Sequence, residues 1–325
     1  MRAKAGHAAL ALGVALAALL AVGGAGGVAG FVEDRCEYAR AGPPGPQGNR
    51  LVVHGIGYVI VRREGAEIKV HYNGPRCTGG RATVWNTDRI FVRAEGEEAS
   101  IDESEGRFAP GATRERRRSE IEITVRGRLE YRGGDGRDEA VARTLRDGRV
   151  GIDLNGSAGG RTDYEIVSAR KPPAVLKLRG GGGPDLIDTR GLTNMGDYQL
   201  RRVIRLFGEG GDDKIFGGPG MEWRLKDGSG DDLVRAGGAF DEVSVGRGHD
   251  TVYGGRGGDN IEYSVWERFS GTPPDVSDRF YGGPGNDDIS DFNRHRDFIS
   301  CGPGRDRYQR EPRDPPGRSC EQVVR

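Results

Sequence analysis

Between about Gly208 and Gln309 the chain repeats itself every nine residues, a spacing that is neither helical nor simply alternating. The copies are GEGGDDKIF (Gly208 to Phe216), GGPGMEWRL (Gly217 to Leu225), DGSGDDLVR (Asp227 to Arg235), AGGAFDEVS (Ala236 to Ser244), VGRGHDTVY (Val245 to Tyr253) and GGRGGDNIE (Gly254 to Glu262). After an insertion come DRFY (Asp278 to Tyr281), GGPGNDDIS (Gly282 to Ser290), RDFIS (Arg296 to Ser300) and CGPGRDRYQ (Cys301 to Gln309), and an isolated copy, GGGGPDLID, lies at Gly180 to Asp188. Glycines at the first, second and fourth positions permit positive φ, so six residues can close a tight turn with its carbonyls to one side. The aspartate in sixth place sets a hard carboxylate oxygen beside those carbonyls, a donor set that suits calcium. The last three residues form a very short strand with one inward side chain: Ile215, Val234, Val243, Val252, Ile261, Phe280, Ile289, Ile299 or Tyr308. Solvated aspartates in a disordered glycine-rich tract would not place an apolar residue two positions after each Asp.

The pattern G-G-x-G-x-D-x-U-x, with U large and apolar, resembles the RTX, or hemolysin-type, calcium-binding repeat. The resemblance implies a right-handed parallel β-roll over 180–309, with two repeats per coil and Ca2+ between stacked turns. It puts Asp213, Asp232, Asp250, Asp278 and Asp297 along one edge, and Glu222, Asp241, Asp259, Asp287 and Asp306 along the other. Turn quality selects Asp213, Asp232, Asp250, Asp259, Asp287 and Asp306 as the main ligands, with Asp185 and Asp241 added. Asp278 and Asp297 follow turns without glycines. Glu222 and Asp241 sit in degenerate copies, where Arg224 takes the core position and Ala239 replaces the fourth glycine.

At the other end, Arg2 and Lys4 precede an apolar run from Ala8 to Val22 and small residues up to Gly30, the layout of a secretory signal peptide over 1–30. A membrane anchor is the rival reading, but the run is short and rich in alanine. A protein that is extracellular, either free or associated with the cell surface, is therefore expected. Four cysteines in an exported chain suggest disulfides, by position Cys36–Cys77 and Cys301–Cys320, the second tying the tail 310–325 to the last repeat. Neither CxxC spacing nor a nearby histidine supports zinc.

Residues 31–179 read as a β-rich region with short strands at Leu51–Val53, Tyr58–Arg62, Glu67–Tyr72, Ala82–Trp85, Arg89–Arg93, Glu120–Val125, Arg128–Tyr131, Val150–Leu154, Tyr164–Val167 and Ala174–Leu178. Asp138–Leu145 is at best one short turn or helix. An irregular solenoid continuous with the repeats and a separate β-sandwich both fit.

The 49 basic and 49 acidic residues cancel, so no general attraction to nucleic acid or anionic membrane is implied, and the run at Arg114, Arg116, Arg117 and Arg118 reads as a solvated loop. There is no HExxH and no G-x-S-x-G in a strand–helix context. A polysaccharide lyase or epimerase could draw on Asp102, Glu120, Glu122 and Arg126, residues that equally fit the outer face of a strand. The leading expectation is a secreted calcium-binding structural or adhesive module whose repeats fold around Ca2+, with extracellular matrix or cell-surface polysaccharide as partner and no stable membrane insertion. The alternative is a secreted enzyme stabilised by its repeats.

Overall fold

In the computed structural model, residues 34–40, 49–109, 121–154, 164–169, 173–193, 195, 203–263 and 277–324 are described. The expected signal segment, the arginine run at 114–118 and Glu120 lie outside them. The alternation of inward apolar and outward polar residues makes strands, and the described residues contain no helix.

In the N-terminal half, β1 (Arg35–Ala39) pairs antiparallel with β2 (Arg50–Ile56), and β3 (Val59–Glu64) forms a hairpin with β4 (Glu67–His71). Two long strands, β5 (Arg89–Asp102) and β6 (Glu122–Arg132), run parallel to each other, with β2 and β3 parallel to the two halves of β5. Then β7 (Glu139–Thr144), β8 (Val150–Asp153) and β9 (Ile166–Ser168) form antiparallel pairs, and β9 returns parallel to the start of β6.

From here the chain alternates between two parallel ladders. One stacks β10 (Val175–Gly182), β12 (Val203–Gly210), β14 (Glu222–Ser229), β16 (Glu242–Val245), β18 (Asn260–Tyr263), β20 (Asp288–Ser290) and β22 (Arg307–Gln309). The other stacks β11 (Leu186–Gly191), β13 (Lys214–Phe216), β15 (Leu233–Gly238), β17 (Thr251–Arg256), β19 (Arg279–Tyr281) and β21 (Phe298–Ser300). Each strand pairs with the strand two places on, so two repeats complete one coil. A last strand, β23 (Gln322–Val324), adds parallel to β22.

The ladders do not stop at the repeats. β10 sits in parallel register on β6, and β11 on β7. One inward column therefore runs through Val61, Ile101, Tyr131, Leu178, Leu206, Leu225, Val243, Ile261, Ile289 and Tyr308, all buried. A second runs through Ala140, Ile187, Ile215, Val234, Val252, Phe280 and Ile299.

Three local expectations are corrected. Ala82–Trp85 is no strand: Thr83 makes a single bridge to Glu67, and the Asn86 Oδ1 accepts the Thr83 N–H at 2.7 Å to close a turn that leaves Trp85 65% exposed. Asp138–Leu145 holds strand β7, because Ala140 and Ala142 face inward while Val141 and Arg143 face out. Arg224 is not in the core. A register shift in β14 admits one extra residue, so that Leu225 fills the column and Arg224 is exposed.

Disulfides join Cys36 to Cys77 and Cys301 to Cys320, with Cα separations of 4.4 and 5.2 Å. The second bridge ties the tail just ahead of β23 to Cys301, the residue after β21, where Arg318 bridges Ser300. Also ahead of β23, the Tyr308 hydroxyl donates to Asp314 Oδ2 at 2.9 Å.

Candidate metal centre

The sixth-position residues form two continuous ladders of their own, one at each edge of the roll. On the first edge, the backbone N–H of each aspartate donates to Oδ1 of the aspartate one coil later: Asp185 to Asp213 at 2.8 Å, then Asp232 at 2.7, Asp250 at 2.9, Asp278 at 2.8 and Asp297 at 2.7 Å. On the second edge the same contact links Glu222, Asp241, Asp259, Asp287 and Asp306 at 2.7 to 2.9 Å. Oδ1 thus does a structural job, fixing one turn upon the next.

The other oxygen has none. Oδ2 of Asp185, Asp213, Asp232, Asp241, Asp250, Asp259, Asp287 and Asp306 is buried and without a hydrogen-bond partner, and so is Oε2 of Glu222. A buried polar atom without a partner costs about 1–3 kcal/mol, more when it is charged, so a whole row of them demands a counterpart. Burial pushes these carboxyls up: Asp232 to about 8, Asp185 and Asp287 to about 7, Asp213 and Asp259 to about 6. Burial raises Asp241 and Asp250 as well, with neighbouring Asp259 and Asp278 respectively adding repulsion. Hard anionic oxygens, all facing inward, beside turns rich in backbone carbonyls, fit Ca2+ and no softer metal.

Close stacking of the turns explains the glycines. Gly257 has φ of 134°, and a Cβ there would lie 1.8 Å from the Ala239 carbonyl oxygen of the coil before. Where the sequence lacks glycine, the conformation persists: Ala239 has φ of 67° and Arg294, in the glycine-free turn before Asp297, φ of 71°. Both turns therefore keep their aspartates in the ladders, at the strain that left-handed non-glycine residues carry. The tail props the second: Arg313 Nη1 donates to the Arg294 carbonyl at 3.0 Å, and Glu311 Oε2 accepts the Arg294 N–H at 2.6 Å.

Several acidic residues that spacing alone passed over join the two edges. Asp138 donates its N–H to Asp185 Oδ1 at 2.7 Å, so the first ladder starts one coil earlier. Its segment, GGDGRDEAV at Gly133 to Val141, is a full copy of the nonapeptide, disguised by alanine at the core position. At the far end Asp314 and Glu321 accept the N–H groups of Asp297 and Asp306, at 3.2 and 2.9 Å. The motif Glu321-Gln322-Val323-Val324 imitates D-x-U-x. Asp227, in the first position of its repeat, and Asp291, one residue ahead of FNRHRDFIS, are also fully buried.

The residues weighed for catalysis do not converge. Asp102 is buried, accepts the Arg62 Nε–H at 2.8 Å and stands opposite Arg132 at the end of β5. Glu122 lies at the other end of the β5–β6 pair, exposed and 2.9 Å from Arg89. Arg126, near the middle of β6, stands opposite Arg93.

These features define a calcium-binding β-roll. Residues 205–220, 227–261 and 277–290 match the family model of the RTX calcium-binding nonapeptide repeat, in four copies. These segments are RTX repeats, and such repeats bind Ca2+. No curated protein and no solved structure matches the chain.

Proposed function

We propose that the chain is exported behind a leader at residues 1–30 and works outside the cell as a calcium-dependent structural or adhesive module, with Asp185, Asp213, Asp232, Asp241, Asp250, Asp259, Asp287 and Asp306 as metal ligands. The row of buried, partnerless Oδ2 atoms carries this reading, because a cation satisfies several of them at once without displacing the ladders. Extracellular calcium at millimolar levels would fill sites of the modest affinity, about 10⁻⁴ to 10⁻³ M, found in extracellular modules. Two disulfides are consistent with an oxidising location.

An adhesive role is supported by the unlike outer faces of the two ladders. From β13 onward the outward side chains of this ladder, Lys214, Phe216, Leu233, Arg235, Thr251, Tyr253, Arg256, Arg279, Tyr281, Phe298 and Ser300, include no acid, Asp188 of β11 standing before them opposite Phe216. Tyr253 and Tyr281 stack at 4.7 Å, and Arg235 lies over the Tyr253 ring at 5.3 Å. Stacked rings present their edges, so the face offers hydroxyl and guanidinium donors rather than free π-faces. That suits an acidic polysaccharide better than unstacked bases. The opposite face interrupts its bases with Glu242, Glu262 and Asp288.

Circular dichroism of the purified protein during a calcium titration, with magnesium as control, tests the calcium role. A calcium-specific gain of β-structure is expected, and Asp232→Ala/Asp259→Ala should lose it; a spectrum indifferent to calcium and chelator would end the proposal. Retention on an immobilised uronic-acid polymer tests the face. Arg235→Glu/Arg279→Glu should abolish it, and unchanged retention would remove that surface from consideration.

A further inference from the structure

Asp227 and Asp291 each stand at the entrance to a repeat turn, one in the place of the first glycine and the other as an inserted residue. Asp227 is the first residue of DGSGDDLVR, a place where no other described copy carries an aspartate, and Asp291 is an extra residue between GGPGNDDIS and FNRHRDFIS, six places before Asp297. Asp227 comes within reach of Asp232 and Asp250, and Asp291 within reach of Asp278 and Asp297, so that in each trio one carboxylate oxygen per residue lies within 4.8 Å of the others. All six residues are buried.

Each trio aims oxygens without partners into a common space. In the first, Asp227 Oδ1 accepts the N–H groups of Gly228 and Gly246, both at 2.7 Å, which anchors the carboxylate and leaves Oδ2 without a partner. Oδ2 of Asp232 and of Asp250 is equally unpartnered. In the second, the Asn293 side-chain amide donates to Asp278 Oδ2 at 3.2 Å and to Asp291 Oδ2 at 3.3 Å. Asp291 Oδ1 and Asp297 Oδ2 remain unpartnered and buried. Asp291 and Asp297 also fall beyond the residues that match the repeat family, in a turn without glycine.

We infer that Asp227 and Asp291 each supply a third carboxylate to one cation site on the first edge, making two calcium sites tighter than the rest of the roll. The inference rests on the calcium reading above. Three carboxylates outweigh the charge of one divalent ion, and ligand charge is one means by which oxygen sites set their affinity for calcium. A buried site built from protein oxygens has little room for the waters that magnesium keeps, which favours Ca2+. Both sites lie on one edge, so they fill first and order the first-edge turns before the second-edge turns.

Calorimetric titration of calcium into the chelator-treated full chain tests this, with Asp227→Asn, Asp291→Asn, the double variant and Asp259→Asn compared. Asparagine keeps the size of the side chain and an acceptor oxygen while removing the charge. Two tight sites ahead of a weaker group are expected in the unaltered protein. Each single variant should weaken one tight site on the order of tenfold or more, and the double variant should leave the weaker group alone. Asp259→Asn should reduce the weaker group and spare the tight pair. Should an asparagine variant lose its calcium-induced β-structure, Asp227→Gly restores the residue that most repeats carry and Asp291→Ser removes the carboxylate from the inserted residue, with the same expectation. A double variant whose affinities and stoichiometry match the unaltered protein would overturn the inference while leaving calcium binding intact. Absence of any calcium binding in the unaltered protein would instead defeat the earlier reading, and this one with it.

Discussion

The two halves of this molecule stack strands on the same columns, yet they are held together by different means. The N-terminal coils bury several side chains per strand: Ile90, Val92, Ala94, Ala99 and Ile101 from β5, and Ile123, Val125, Leu129 and Tyr131 from β6. At about 1.5–3 kcal/mol for each large apolar side chain, such strands stabilise themselves. The buried charge of Glu130 is paired as well: it lies 2.8 Å from Arg179 Nε and 3.4 Å from Lys177 Nζ, and accepts the Tyr58 hydroxyl at 3.0 Å. A three-residue repeat strand such as β20 buries only Ile289, while the turn before it buries the unpaired oxygen of Asp287. One half carries its own stabilising contacts; the other holds half of an electrostatic bargain.

The sharpest way to break this contrast is chelation followed by hydrogen exchange. Amides from Gly208 to Gln309 should lose most of their protection, while β5, β6 and β10 keep theirs. Uniform loss along the chain would mean that the N-terminal half also depends on the metal.

Acid should act on the repeat aspartates and on Glu130 of the N-terminal half in opposite directions. Burial raises the carboxyls of Asp185, Asp213, Asp232, Asp259 and Asp287 to between about 6 and about 8 without metal, against about 3.9 unfolded. A raised folded-state value contributes stability fully below the unfolded value, and this is lost as pH rises through the folded one. The calcium-free repeats should therefore be better ordered at pH 5 than at pH 8. In the presence of calcium, protons compete, and half-saturation should need more metal at pH 6 than at pH 8. Glu130 runs the other way: despite its burial, Arg179 and Lys177 hold it well below the usual carboxylate range, to about 2. Its contribution is present above the unfolded value and fades as pH falls toward 2. Far-ultraviolet circular dichroism against pH, with and without chelator, reads both.

A smaller effect probes the turns. Gly257→Ala should destabilise the calcium-loaded protein by more than about 1 kcal/mol, since φ is positive and a carbonyl occupies the space of the new methyl. Ala239→Gly should stabilise it by about 1 kcal/mol by relieving a left-handed alanine. Thermal unfolding in saturating calcium measures both, and equal and negligible shifts would mean that the turns are not under this constraint.

What spacing could reveal is bounded by what it counts. The inward residues from Ile215 to Tyr308 and the two edges of aspartates follow from the nonapeptide, because core filling and register recur with it. The copy at Gly133 is missed because Ala140 is too small to mark a core position, although it packs opposite Ile187. Leu225 is missed because one inserted residue shifts the count, and the backbone absorbs the insertion in a bulge. Glycine content misjudges the turn before Asp297, where tail contacts hold Arg294 in the shape that glycine adopts elsewhere. A signal for Asp227 and Asp291 is present, an aspartate in a glycine position and an aspartate inserted between two repeats, but its meaning depends on which oxygens face each other across a coil.

The aspartate ladders have a direction. Every sixth-position N–H is accepted by a carboxylate that comes later in the chain, from Asp138 through to Asp297 on one edge and from Glu222 to Asp306 on the other. A chain made from its N-terminus forward thus always ends, during synthesis, in a coil whose amides still await their acceptors. Only when Asp314 and Glu321 arrive is the last coil complete, and the bond between Cys301 and Cys320 then holds that ending in place.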